Sequence, residues 1–588
     1  MSPRAAEIRS RWRRLAWLLV LVPPALIVLI AAVYASDVPL WDEWAVAPLL
    51  FKLRDGSLQF SDFMARHVDH RFVFPRIIIV GLMTFLGRWS IRAEVFASIA
   101  VAALQLALVW RMARASLRPK RVLPLTLAAS MLIFHAAGSY NWLMGLQVAW
   151  HLALTCAVAS FWALTARPGR WSGVITAAVF ALVGSYSMSA GLLLWPVGLA
   201  GLIILRARAT PETELRSIGQ AAFWCGAAVA AIGFYFTDYA YASDSGILTG
   251  NLLNPARMGS FALAFLGRPF TTIPDADLAG VIGLFGVMAV VALGFRLVRG
   301  RKINGLLPPA VLPWMLMLAF TMTTTALVGA GRSHVAYAAQ TSHYVALTGL
   351  FWIGLAGGHL AVPVAAGLVP GASSRRREWL ERAALAVAVL FLIVAYAGSW
   401  AGGWADIRTV SGWLGEFESR MLSGAPNVPK DLVVDKIYPF YALPMEYSEE
   451  MLRRSEGFYG SSRMGRADGN GARPSKIENG PAAGVKPSYQ GFADYVTCDT
   501  VSGWAWDRNT AGPIVVGVWL DGTRIGSQTA DRQRNDLIPV GIGMGAHGFY
   551  GPLTGIPRDG REHTLTLTFA DTREPLGVGE RTIRCAAQ

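Results

Sequence analysis

Apolar residues along this chain come in long blocks rather than in alternation. Between residues 15 and 401 there are about eleven of them, near 15 to 35, 93 to 110, 122 to 136, 147 to 166, 172 to 186, 190 to 205, 218 to 237, 277 to 295, 308 to 330, 344 to 361 and 383 to 401. A bilayer core about 30 Å thick takes roughly 20 apolar residues to cross as a helix, and the blocks are cut to about that length. The pattern predicts a multi-pass α-helical membrane domain of about 11 transmembrane helices over residues 1 to 401. A further apolar run from Phe74 to Leu86 reads as a helix lying on the outer face, since counting it as a span would put the basic loop at 111 to 121 on the wrong side.

Past residue 401 the pattern changes twice. Residues 402 to 459 read as an amphipathic helical stalk, with Trp404, Ile407, Trp413 and Phe417 expected on one stripe. Residues 460 to 487 hold Gly, Ser, Pro, Ala, Lys and Arg with almost no large apolar side chain, the composition of a flexible linker. From 488 to 588 strict alternation takes over. Ile514, Val516, Val518 and Leu520 share one strand face, Asp521-Gly522 is a hairpin turn, and Thr564 to Phe569 alternate again. This predicts a C-terminal all-β sandwich of about 100 residues. Cys498 and Cys585 bracket it and would form a disulfide in an oxidising compartment, whereas Cys156 and Cys225 fall inside spans as packing residues.

Charge adds orientation. Arg4, Arg9, Arg11, Arg13 and Arg14 precede the first block, and alternation from there puts the basic loops at 111 to 121, 167 to 170, 206 to 216, 296 to 302 and 375 to 382 on the same, cytoplasmic side. The C-terminal regions then fall outside. The formal net charge of +15 is accounted for by this topology and by anionic headgroups, with no nucleic-acid partner expected. Pro23-Pro24 and a block of about 20 residues favour a retained anchor over a cleaved signal peptide.

Polar chemistry concentrates in the first outer loop, residues 37 to 91. It opens with Asp37-Val-Pro-Leu-Trp-Asp42-Glu43-Trp44, continues as Arg66-His67-Val-Asp69-His70-Arg71, and reaches Pro75-Arg76. Two carboxylates between Trp41 and Trp44 sit at headgroup level, where partial desolvation suits a general base. Arg71 and Arg76 offer paired donors of the kind that clamp phosphate. The plain alternatives are an interfacial anchor for Asp42-Glu43 and an internal salt bridge for His67, Asp69 and His70. The spacing of His67, Asp69 and His70 matches no metal signature, and no metal or other cofactor is expected. No Walker loop, Gly-x-Ser-x-Gly, His-Glu-x-x-His or paired Cys-x-x-Cys occurs, so ATP-driven transport, serine hydrolysis and zinc-finger chemistry have no motif behind them.

With these motifs in order, the chain resembles the integral-membrane glycosyltransferases of the GT-C fold, in particular a bacterial group whose first loop reads W-D-E-W, then H-N-E-H-R and a Pro-Arg pair. Here Val68 and Asp69 stand where Asn and Glu are usual. Three later outer turns fit the same group: Tyr140-Asn141-Trp142 with Gly145 and Gln147, Ser187 to Gly191 leading to Trp195-Pro196, and Gly331-Arg332 with Ser342-His343-Tyr344, where Ser-Arg-Tyr would be usual. The β region resembles modules attached to bacterial glycosyltransferases, through Gly503-Trp504-Ala505-Trp506-Asp507, Asp521-Gly522 and His547-Gly548-Phe549. Of these, Trp504 and Trp506 are expected to be core rather than sugar platforms.

The resemblance implies a bacterial inner-membrane enzyme with its C-terminal domain in the periplasm. It would move a sugar from a polyprenyl-phosphate donor to a glycan or glycolipid acceptor. Asp42 is then the first candidate base, with Glu43 its neighbour or substitute. His67, Asp69, His70, Asn141, Trp142, Gln147, His343 and Tyr344 are candidate substrate contacts, and Arg71, Arg76 and Arg332 a phosphate clamp. The rival readings are a transporter or flippase of lipid-linked saccharides, a polymerase or ligase acting on them, and a non-catalytic scaffold for the β domain.

Overall fold

In the computed structural model the described residues are 15–423 except 68–69, 208–209, 238–244, 272–274, 305–307, 336–337 and 363–374, scattered positions from 428 to 457, and 487–585 except 497, 499, 510–511, 534–545, 554 and 570–571. The N-terminal arginines, Asp69 and all but the last residue of the expected linker lie outside them. Two compact units divide the chain, Met1–Ser36 with Lys52–Ser411, and Asp37–Phe51 with Gly412–Gln588. Residues 37–51, the opening of the expected outer loop, therefore group with the C-terminal part, although the pattern placed them in the membrane domain.

The first unit is helical. Among the described residues, nine helices are long and apolar enough to cross a membrane, from Leu15–Tyr34 to Leu390–Leu422. Two of the eleven expected blocks form helices of 15 residues, Pro119–Ile133 and Trp171–Ser185, about 22 Å long against a core of about 30 Å. Val73–Leu86 is a 14-residue helix. Burial sorts the long helices by environment. Gly145–Ala166 and Ser342–Ala361 are each 78% buried and form the centre, whereas Pro211–Tyr235 is 17% buried and turns its Leu215, Phe223, Val229 and Phe234 outward. Apolar side chains exposed in such number suit lipid rather than water.

The helix Arg375–Leu422 joins the last span to the start of the stalk without a break. Its buried stripe is Ile407, Val410, Leu414 and Phe417, spaced three, four and three residues apart. Trp404 and Trp413 lie off it, Trp404 being exposed. The expected stripe had the right helix and two right members, with its phase pulled toward the bulkiest rings.

In the second unit the described residues of the β region form eight strands: β3 (Tyr489–Val496), β4 (Thr500–Asp507), β5 (Val515–Leu520), β6 (Thr523–Thr529), β7 (Arg532–Gln533), β8 (Ala546–Pro552), β9 (Glu562–Phe569) and β10 (Pro575–Arg584), with β1 and β2 in the helical unit described below. They run in the order β6-β5-β9-β10-β3-β4-β8-β7. Instead of two separate sheets, two antiparallel halves join where β10 meets β3 in parallel, at Gly577 and Phe492. Inward side chains of both halves make one core, including Val501, Val516, Val518, Phe549, Leu565 and Leu567. Asp521 and Gly522 both have positive φ, as a two-residue turn of type I′ requires. Cys498 and Cys585 are disulfide-bonded, and Trp506 is buried while Trp504 is half-buried.

A small charge cluster ties the β5–β6 turn to β9. His563 Nδ1 bonds Asp521 Oδ2 at 2.6 Å and its Nε2 bonds Asp559 Oδ1 at 3.2 Å. Hydrogen bonds to these carboxylates raise the His563 pKa. The same contacts lower Asp521, while Asp559 is lowered first by the Arg561 N–H and then by His563. A raised histidine stabilises the fold below its unfolded value of about 6.5 and loses that contribution as pH rises through the folded value. The lowered aspartates stabilise above about 3.9 and lose their contribution as pH falls through the folded values. Amide protection, the exchange rate corrected for its intrinsic pH dependence, in peptides covering 515–529 and 559–569 is therefore expected to be greatest between those limits, and to fall toward pH 8 in wild type but not in His563→Gln.

Candidate functional site

In the second unit, Asp42 and Glu43 lie in a short 3-10 helix, Trp41–Val46, entered through Trp41 at φ 52°. A tryptophan in the left-handed region is strained, a condition found where surrounding structure holds a turn for a purpose. The turn divides the carboxylates. Glu43 is 1% exposed and accepts the Leu40 N–H at 2.9 Å, so it caps the turn from within. Asp42 is exposed. Trp44, fully buried, packs edge-on against Phe417 at 6.0 Å, and Phe51 does the same against Tyr447 at 5.9 Å. The two aromatic residues that looked like interfacial anchors thus differ, one being core.

In the first unit, His67 and His70 face each other across a two-residue ladder, β1 (Arg66–His67) and β2 (His70–Arg71). Both imidazoles stack on Phe72, at 4.9 and 5.3 Å. Arg71 is buried and uses all three guanidinium nitrogens on backbone carbonyls, from Nε to Tyr235 at 2.6 Å and from its terminal nitrogens to Met64 at 2.7 Å and to Thr237. One terminal nitrogen of Arg76 donates to the carbonyls of Asp62, Phe63 and Ala65. Burial pushes the Arg76 pKa down to about 10, against the opposing charge of Asp62. Both arginines therefore brace the loop in this structure. Arg332, at the end of the helix Leu312–Arg332, is the exposed guanidinium of the expected clamp.

The later turns named above do come together. Asn141 Nδ2 donates to the His343 carbonyl at 3.3 Å, and the Tyr140 N–H to Ser342 Oγ at 3.3 Å. His343 lies 4.1 Å from the Tyr344 ring and 6.3 Å from Trp150. Arg332 is near enough to Tyr344 for its charge to act there. Trp142 donates to the His135 carbonyl at 2.8 Å and stacks on His151 at 5.0 Å. The turn Ser187 to Gly191 is tightly closed as well, since a Cβ on Gly191 would stand 2.1 Å from the Gly184 carbonyl.

Four shielded polar atoms of this group have no hydrogen-bond partner among the described residues: Asn141 Oδ1, Gln147 Oε1 and both ring nitrogens of His151. Asn141 and His151 are 1% and 0% exposed. Buried polar atoms are nearly always paired, because each left unpaired costs about 1–3 kcal/mol. A hydroxyl, which both donates and accepts, is a chemically suitable partner for an amide oxygen and for either nitrogen of a neutral imidazole.

Three residues that the sequence reading passed over support the group. His151 is an ionisable residue within an apolar span, which is itself a signal of function. Glu94 accepts the Trp89 indole N–H at 2.7 Å, and it sits so close to the turn that a Cβ on Gly145 would stand 2.3 Å from its Oε2. Arg268 is 3% exposed and donates to the carbonyls of Gln340 at 2.7 Å, Thr271 at 2.6 Å and Ala137 at 3.3 Å. It thereby pins the residues just before Ser139–Leu143 and just before Ser342–Tyr344. Burial brings its pKa down to about 10, against the pull of Asp406, and leaves it charged at neutral pH. Asp406 in turn accepts from Ser139 Oγ.

Among the described residues no group of three His, Cys, Asp or Glu side chains is placed to hold a metal ion. No protein-family model, curated protein or solved structure matches the chain.

Proposed function

We propose that this protein is a membrane glycosyltransferase of GT-C type that takes a sugar from a polyprenyl-phosphate donor at the periplasmic face of a bacterial inner membrane and passes it to a cell-envelope glycan or glycolipid. The observation that carries the reading is the set of shielded, unpartnered acceptors and imidazole nitrogens at Asn141, Gln147 and His151, which suits a saccharide's hydroxyls. Beside it, His343 contributes a ring face and Arg332 a cation for the leaving phosphate, while Trp142, buried between Phe134 and His151, backs the group.

Asp42 is the base in this reading, because Glu43 is committed to the turn. Its carboxylate takes the acceptor hydroxyl's proton. The acceptor oxygen bonds to the anomeric carbon as the bond from that carbon to the phosphate oxygen breaks, polyprenyl phosphate leaves, and the configuration inverts. Arg71 and Arg76 have a bracing role rather than a place in the clamp.

A flippase or transporter of lipid-linked saccharides is the second reading. The ionisable residues His151 and Glu94, buried within helices, favour it. Transfer from synthetic polyprenyl-phosphate sugars to envelope acceptors by the purified protein decides between the two. Replacing His151 by Phe keeps a ring against Trp142 and removes both orphaned nitrogens. Thermal stability is expected to hold or rise while the KM for the donor increases about tenfold or more, the worth of one to two hydrogen bonds. Unchanged KM would remove His151 from the site.

A further inference from the structure

A cavity of about 380 Å³ opens at the far ends of three candidate spans, away from the outer turns. Its walls are Met112 and Ser116 at the end of Ile91–Ser116, Trp162 and Thr165 at the end of Gly145–Ala166, and Pro309 and Pro313 at the start of Pro309–Arg332. Span ends lie at headgroup depth. The lining is mostly apolar, and its polar groups are unevenly engaged. Ser116 Oγ donates to the Met112 carbonyl and accepts the Trp314 indole N–H, and Thr165 donates to the carbonyls of Phe161 and Trp162. The Trp162 Nε1 is shielded from solvent and donates to no acceptor among the described residues, whereas a buried indole N–H ordinarily finds one.

Along the stretches that wall the cavity the charge has one sign. Arg111 lies over the Trp162 ring at 4.9 Å, and Arg114 over Trp110 at 5.0 Å, both exposed. The sequence holds no Asp or Glu from Val95 to Pro211, nor from Leu278 to Arg377, and every wall residue falls in one of these stretches. An ammonium headgroup would find no carboxylate from these elements. A phosphate would find an unused N–H and a guanidinium.

We propose that this cavity binds one anionic phospholipid of the adjoining leaflet. Its phosphate accepts the Trp162 N–H and pairs with Arg111, its glycerol lies on the apolar wall, and its acyl chains run along the spans. This site is at the opposite end of Gly145–Ala166 from His151 and stands whether or not the transferase reading holds.

The test is native mass spectrometry of the full-length protein exchanged into micelles carrying equal amounts of phosphatidylglycerol and phosphatidylcholine. Wild type is expected to retain phosphatidylglycerol selectively. Trp162→Phe, which keeps the ring, and Arg111→Gln are each expected to reduce the retained lipid about fivefold, the equilibrium worth of one hydrogen bond or ion contact. Arg170→Gln, a cation outside the cavity, should leave it unchanged. Equal retention of both lipids overturns the proposal, as does wild-type retention in both cavity variants. Loss of equal size in Arg170→Gln would show diffuse surface charge instead, and displacement by millimolar glycerol 3-phosphate would identify a soluble phosphate ligand; either also overturns it. A melting curve for each variant separates lost binding from lost fold.

Discussion

Replacing Arg268 with methionine is expected to destabilise the helical unit by about 3–5 kcal/mol, the usual result when one member of a buried charged network is removed. The methionine fills similar space, so the loss comes from interactions rather than from a cavity. Carbonyls of Ala137, Thr271 and Gln340 lose their donor, and Asp406 loses the compensating charge. Lysine should recover only part, since one ammonium cannot reproduce the guanidinium fork that reaches three separated segments. Thermal unfolding in detergent reads this directly. Because the two pinned turns carry Asn141 and His343, saccharide transfer should fall in Arg268→Lys more than its stability does. A methionine variant with wild-type melting would show that the network is ornamental to the fold.

Asp42→Asn is expected to lower transfer by a factor of about 10²–10⁴, the range for removing a general base, with folding and donor KM little changed. The substitution keeps the shape of an exposed side chain and removes its charge and its capacity to take a proton. Glu43→Gln should behave otherwise: its Oε2 accepts the Leu40 N–H in a buried turn, so a neutral amide there should cost stability first and turnover second. Turnover measured with each variant, beside its melting temperature, separates the roles. Full transfer activity in Asp42→Asn would sink the mechanism as drawn and move the base to another group, whereas no transfer by the wild type would leave the transporter reading.

The sequence made the helical body legible because crossing a bilayer leaves a one-dimensional mark, a block of about 20 apolar residues. Alternation with Asp521-Gly522 did the same for the β region. It was less informative where packing chooses among similar residues. On the helix Arg375–Leu422 the expected stripe named Trp404 and Trp413, and the fold buries Val410 and Leu414 instead, because helix phase is set by the surface it meets rather than by ring size. Arg71 and Arg76 looked like a clamp, since an arginine in an outer loop has the same letter whether it faces a phosphate or a carbonyl. Only the paths of Met64, Tyr235 and Thr237 around Arg71 tell these apart.

The candidate site divides along the same line. Residue types within one short motif could be read directly, which is how Asp42-Glu43 and Asn141-Trp142 were found. Arg268, Glu94 and His151 could not be placed by spacing, since they lie far from the turns they support. What the sequence by itself determined is the number and rough length of apolar blocks, the arginine-rich loops and the strand alternation, all consequences of local solvent preference. Tertiary structure alone decided which carboxylate is exposed, which arginines are engaged, and which polar atoms are buried without partners. Each of those depends on distances between segments remote in the chain, and hydrogen-bond geometry is settled only when those segments meet.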